Sequence, residues 1–139
     1  MRPSRLAAFG AIASAKAARD ARHAAANILA RWGLGDEVAF RAEVIISELL
    51  ANAVQHAPPP RGEEIDLHLA YGIGGLLVEV EDGGGERVPV VRDEQDGDCE
   101  RGRGLALVQH FATWGYRTLP DGRRSTWAHL PETQQGEGS

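Results

Sequence analysis

Cysteine occurs once in these 139 residues, at Cys99, so no disulfide can form within the chain and a reducing cytoplasm is the expected setting. No apolar run reaches the roughly 18 residues that a membrane-spanning helix needs. The opening segment MRPSRLAAFGAIASAKAA holds two arginines and small apolar residues, but its apolar run is short and alanine-rich, unlike a secretory signal. Basic residues are outnumbered 15 to 20, for a net charge of -5, so nothing suggests nucleic-acid binding through a basic surface. A protein or small-molecule partner is expected instead. No internal repeat is visible. What is present, 42% hydrophobic and 25% charged residues, suits one soluble globular domain spanning residues 1–139 with a single core.

The stretch EVIISELLANAVQH, residues 43–56, organises the rest. Val44, Ile45, Ile46, Leu49, Leu50, Ala53 and Val54 cover more of a helical wheel than one packed face requires, which predicts a largely buried helix. Glu48, Asn52 and His56 follow one another at i, i+4 spacing, so a carboxylate, an amide and an imidazole stand in one row. Such a row is either the solvated edge of an amphipathic helix or the wall of a cavity where a ligand or metal completes its bonding. The helix is expected to start at an Asp36 N-cap and to stop before Pro58, Pro59 and Pro60.

Upstream, Arg5 to Ile12 reads as a short edge strand. A helix follows from a Ser14 N-cap to Gly33, with Ala18, Ala21, Ala25, Ile28, Leu29 and Trp32 on its packing face. Downstream, Ile65, Leu67, Leu69 and Tyr71 alternate with Asp66, His68 and Ala70, the period of a half-buried strand. Gly72, Gly74 and Gly75 turn the chain into a hairpin partner, Leu76 to Glu81, with Val78 and Val80 inward. Three glycines after Asp82 mark a sharp turn or a close approach of backbone to something else. Residues 86–101 form an acidic loop. Gly102-Arg103-Gly104 then opens a third helix packed through Leu105, Leu107, Val108, Phe111 and Trp114, a place where free N–H groups can hold an anion. A closing hairpin runs from Tyr116 to Leu119, through Pro120-Asp121-Gly122, and back from Ser125 to Leu130. Residues 131–139 are expected to be a disordered tail.

Taken in order, a Glu-x-x-x-Asn helix, a strand ending in Asp-x-Gly, an acidic loop, a Gly-x-Gly helix start and a final strand with Ser and Thr form a pattern. It resembles the GHKL ATP-binding superfamily of gyrase, chaperone, histidine kinase and mismatch-repair ATPases. Within it the chain looks most like stand-alone anti-sigma factor serine-protein kinases. The resemblance implies an α+β fold, a two-layer α/β sandwich whose mixed, mainly antiparallel sheet carries helices on one face. It also implies a site for ATP and Mg2+. In that reading ISELLANAVQHA supplies Glu48 as general base and Asn52 as magnesium ligand. VEDGGG supplies Asp82, accepting from the adenine amino group, and Gly84, letting backbone lie against the base. GRGLALV places Gly102 and Gly104 at the hinge of the ATP lid, and Ser125, with Thr126 as the alternative, puts a hydroxyl near the adenine.

The chemistry agrees: a hard magnesium ion takes an amide oxygen while keeping water and phosphate ligands, and a carboxylate one turn away can accept a nucleophile's proton. The chain departs from the pattern where a glycine four residues after Asp82 would stand, since that position is Glu86. The acidic loop has Arg101 and Arg103 as its nearby cations. His23 lies in an alanine-rich helix without the setting of a phosphorylatable histidine, so a histidine-kinase core is excluded. The resemblance implies a serine/threonine-protein kinase that acts on an anti-anti-sigma protein, sequesters a sigma factor and forms a homodimer, with no direct contact to nucleic acid or membrane. The alternative is a protein-binding regulator in which nucleotide is structural or absent.

Overall fold

A computed structural model describes residues 5–12, 14–56, 64–83 and 106–131. The expected acidic loop, the terminal tail beyond residue 131 and Cys99 lie outside the described residues. Five strands and two long helices are defined: β1 (Arg5–Ile12), α1 (Ala15–Arg31), α2 (Asp36–His56), β2 (Ile65–Gly72), β3 (Gly75–Asp82), β4 (Thr113–Thr118) and β5 (Arg124–Leu130). Residues 106–111 are helical. The strands make one sheet in the order β1-β2-β3-β5-β4. Every pairing among the described strands is antiparallel. The mainly antiparallel α+β sandwich is therefore observed.

Local chemistry explains the elements. Ser14 adopts an extended conformation and its hydroxyl accepts from the Ala17 N–H at 3.0 Å, satisfying one of the free donors at the start of α1. Gly33, with φ of 80°, takes the left-handed conformation that turns the chain between α1 and α2. The carbonyl of Gly35 accepts the first helical bond of α2 from Ala39, so Gly35 is the cap and the expected Asp36 stands one position inside the first turn. There its carboxylate still meets the positive end of the helix dipole.

Alternation then fixes one buried face of the sheet. Ile65, Leu67 and Leu69 of β2, Leu76, Val78 and Val80 of β3, and Ala128 and Leu130 of β5 all point at the helices and are essentially inaccessible. Leu67 stands opposite Val80 and Leu69 opposite Val78, so the buried sets of adjacent strands coincide. α2 packs over β3 with contacts to β2 and β5, and α1 lies beside it over β1. Ala42, Ile45, Ile46, Leu49, Leu50 and Ala53 of α2 interlock with Ala18, Ala21, Ala25 and Leu29 of α1, where alanines let the two helices approach. Trp32 stacks on Tyr71 with ring centroids 6.1 Å apart, tying the end of α1 to β2.

The third helix ends earlier than expected, at residue 111. Val108 is buried and Phe111 partly so, but Leu107 is exposed and Trp114 belongs to β4, which begins three residues before the strand start expected at Tyr116. The other face of the sheet carries no described helix. None of the described helices is long and apolar enough to cross a membrane.

Candidate functional site

One flank of α2 gathers polar groups. Arg41, Glu48 and Asn52 are spaced i, i+7 and i+11, so they run along a single side, next to the buried stripe of Ile45, Leu49 and Ala53. The Arg41 guanidinium lies 5.4 Å from the centre of the Phe111 ring, so this flank looks toward the helical stretch 106–111. Arg41 also pairs with Glu37 at 2.5 Å, one turn back. Glu48 and Asn52 are half-buried, and neither side chain has a hydrogen bond or ion pair among the described residues. Loss of solvent raises the Glu48 pKa above its ordinary value. Half-burial of that carboxyl distinguishes it from one on a fully solvated helix edge. The side chain of His56 lies outside the described residues.

Beneath α2, the ends of β3 and β5 supply the other polar groups. The strand period that turns Val78 and Val80 inward also turns Asp82 inward, and it is 1% exposed. Across the ladder, Val80 pairs with Thr126 and Asp82 with Arg124, so Thr126 and Arg124 share the inward face. The Thr126 hydroxyl is buried and has no hydrogen-bond partner among the described residues. A buried hydroxyl in that condition is ready to bond a ligand or an ordered water.

Register separates the two expected hydroxyls. Ser125 pairs with Glu81 and faces away from α2, donating its proton to Glu79 at 2.5 Å on the outer side of the sheet. Successive strand residues point to opposite faces, so Ser125 and Thr126 cannot serve the same site. Thr126 is the one on the α2 side.

Two arginines that sequence reasoning passed over shape this corner. Arg123 donates to the main-chain carbonyls of Glu64 at 2.6 Å, Glu81 at 3.1 Å and Asp82 at 3.3 Å. It thereby pins the strand end that presents Asp82. Arg124 is buried directly across the ladder from Asp82, with its guanidinium 5.9 Å from the Tyr116 ring centre. Their only sequence signal is a pair of arginines after a Pro-Asp-Gly turn, which reads as solvated charge. Gly84, Gly102 and Gly104 lie outside the described residues, as do Arg101 and Arg103.

The sheet offers an inward carboxylate and a hydroxyl without a partner among the described residues, and the helix that packs on it offers a carboxylate and an amide. Those donors and acceptors fit a nucleotide: Asp82 and Thr126 offer a hydrogen-bonding edge to a base, and the Asn52 amide oxygen is a suitable single protein ligand for magnesium. A family model for the histidine kinase-like ATPase domain matches residues 12–121. No curated protein matches the chain.

Proposed function

The chain belongs to the histidine kinase-like ATPase domain family, and on that premise we propose that it is an ATP-binding regulator acting as an anti-sigma factor serine-protein kinase. What carries the reading is that two sets of polar groups lie on elements that pack together: Glu48 and Asn52 on one flank of α2, and Asp82 and Thr126 on the inward face of the strands that α2 covers. Asp82 accepts from the adenine amino group, and Thr126 bonds at the same edge. Asn52 holds magnesium, which neutralises phosphate charge when bound. Glu48 accepts the proton of a serine hydroxyl on an anti-anti-sigma protein as that oxygen bonds to the γ-phosphorus and the bond to the ADP leaving group breaks. A carboxyl with a pKa raised by desolvation suits this task at neutral pH. Gly84, Gly102 and Gly104 would complete the nucleotide cradle, and a sigma factor would be held by the same protein, working as a cytoplasmic homodimer.

A second reading rests on Arg124. Arg124 is buried and stands directly across the ladder from Asp82, so a positive charge shares the strand face on which a base would have to reach that carboxylate. This favours a protein-binding regulator that retains the scaffold with nucleotide structural or absent. Calorimetry of ATP and GTP, with and without magnesium, on wild type, Asn52→Ala and Asp82→Ala separates the two. The kinase reading requires magnesium-dependent, adenine-selective binding that both substitutions abolish, followed by serine phosphorylation that Glu48→Ala removes while ATP binding persists. Absence of binding at millimolar nucleotide would refute it and leave the scaffold reading.

A further inference from the structure

The outward face of the sheet holds a second set of ligating groups. Asp66 and His68 are two residues apart on β2 and so point the same way, while Glu81 on β3 is the direct cross-strand partner of Asp66. One ligand atom from each, a carboxylate oxygen, an imidazole nitrogen and a carboxylate oxygen, lie within 4.8 Å of one another, and all three residues are half-buried.

Two opposed carboxylates repel, and a cation between them relieves that repulsion. Arg123 does so only in part. Its Nη1 approaches Asp66 at 3.5 Å, but its Nε and Nη2 are committed to three main-chain carbonyls. The Glu81 carboxylate and the His68 imidazole have no hydrogen bond or ion pair among the described residues. Beside them opens a shallow groove lined by Leu6, Ala8, Ala70 and Leu77, together with His68 and Glu81. A bound ion would therefore keep positions open to water or to another molecule's ligand.

We propose that Asp66, His68 and Glu81 form a site for a divalent transition ion of the zinc class. One imidazole and two carboxylates are a donor set that such ions accept, whereas magnesium and calcium favour oxygen alone. Ligands around tetrahedral zinc stand about 3.3 Å apart, so modest side-chain rotation closes the observed spacing. The site is on the opposite side of the sheet from Asn52 and Asp82. It is independent of the nucleotide reading.

The test is titration of nucleotide-free protein with zinc chloride, followed by calorimetry and by the imidazole NMR signals of His68. Wild type is expected to bind one zinc per chain with a shift of those signals, and His68→Ala and Glu81→Gln are each expected to weaken binding by about tenfold or more. Cys99→Ser is expected to leave affinity unchanged. Circular dichroism melts verify that each variant is folded. The proposal is overturned by absence of binding at millimolar zinc, by full affinity in both ligand variants, by unmoved His68 signals, or by loss of binding in Cys99→Ser.

Discussion

Replacing Thr126 by valine and Ser125 by alanine removes two hydroxyls from adjacent residues of one strand, with opposite expected consequences. The Thr126 hydroxyl is buried without a partner among the described residues, and burying such a group costs about 1–3 kcal/mol. Valine keeps the shape and discards the polar atom, so Thr126→Val should gain about 1 kcal/mol in the free protein. For a chain of this size that raises Tm by about 3–4 °C. If the hydroxyl bonds the nucleotide, the same change forfeits about 0.5–1.5 kcal/mol of binding, or roughly two- to thirteenfold in ATP affinity. Ser125 donates to Glu79 at 2.5 Å on the far face, and Arg117 stands 3.9 Å from the same carboxylate. Ser125→Ala should therefore cost about 1–2 kcal/mol of stability and leave ATP affinity untouched. Thermal melts with and without ATP, together with calorimetry, read all four quantities. A drop in Tm for Thr126→Val matching that of Ser125→Ala would show that its hydroxyl is already bonded. Weaker ATP binding in Ser125→Ala, or unchanged binding in Thr126→Val, would refute the assignment of faces.

Two further outcomes follow from particular residues. Burial raises the Glu48 pKa above its ordinary value of 4.5, so the folded state binds more protons than the unfolded state from about 4.5 up to the raised value. The group's contribution to stability is thus lost as pH rises through that window; Glu48→Gln should flatten this part of a Tm-against-pH curve and be relatively more stable at neutral pH. A Cβ added at Gly115 would meet the Trp127 ring at 2.7 Å, so Gly115→Ala should lower stability by about 1–3 kcal/mol in denaturant melts.

Most of the fold was legible because its elements have strong periods and clear punctuation. The apolar wrap of α2, the alternation from Ile65 to Tyr71 and the Ser14 cap each had one sensible reading, and each matches the observed element. The third helix was harder. From Leu105 to Trp114 the apolar residues satisfy a helical period, but Trp114 is equally suited to a strand, and the cross-strand partnership of Trp114 with Ala128 decides. That contact joins residues distant in sequence, and no local period contains it.

The site divides along the same line. That Glu48 and Asn52 share one side of α2 was legible because a helix converts i, i+4 spacing directly into a shared side. Asp82 was legible because the glycines behind it mark a strand end. Choosing between Ser125 and Thr126 required the register of β5 against β3, since a shift of one residue exchanges every inward side chain for an outward one. The two arginines before them were illegible for the same reason. Strand parity sends Arg123 outward to bind the ends of β2 and β3, and sends Arg124 inward to face Asp82. The charge opposite Asp82 thus depends on which residue of an Arg-Arg-Ser-Thr run takes the inward position. This makes Arg124 the residue on which nucleotide binding and the scaffold reading part: its guanidinium must leave Asp82 accessible for adenine to bind, and where it does not, the site is closed by its own strand.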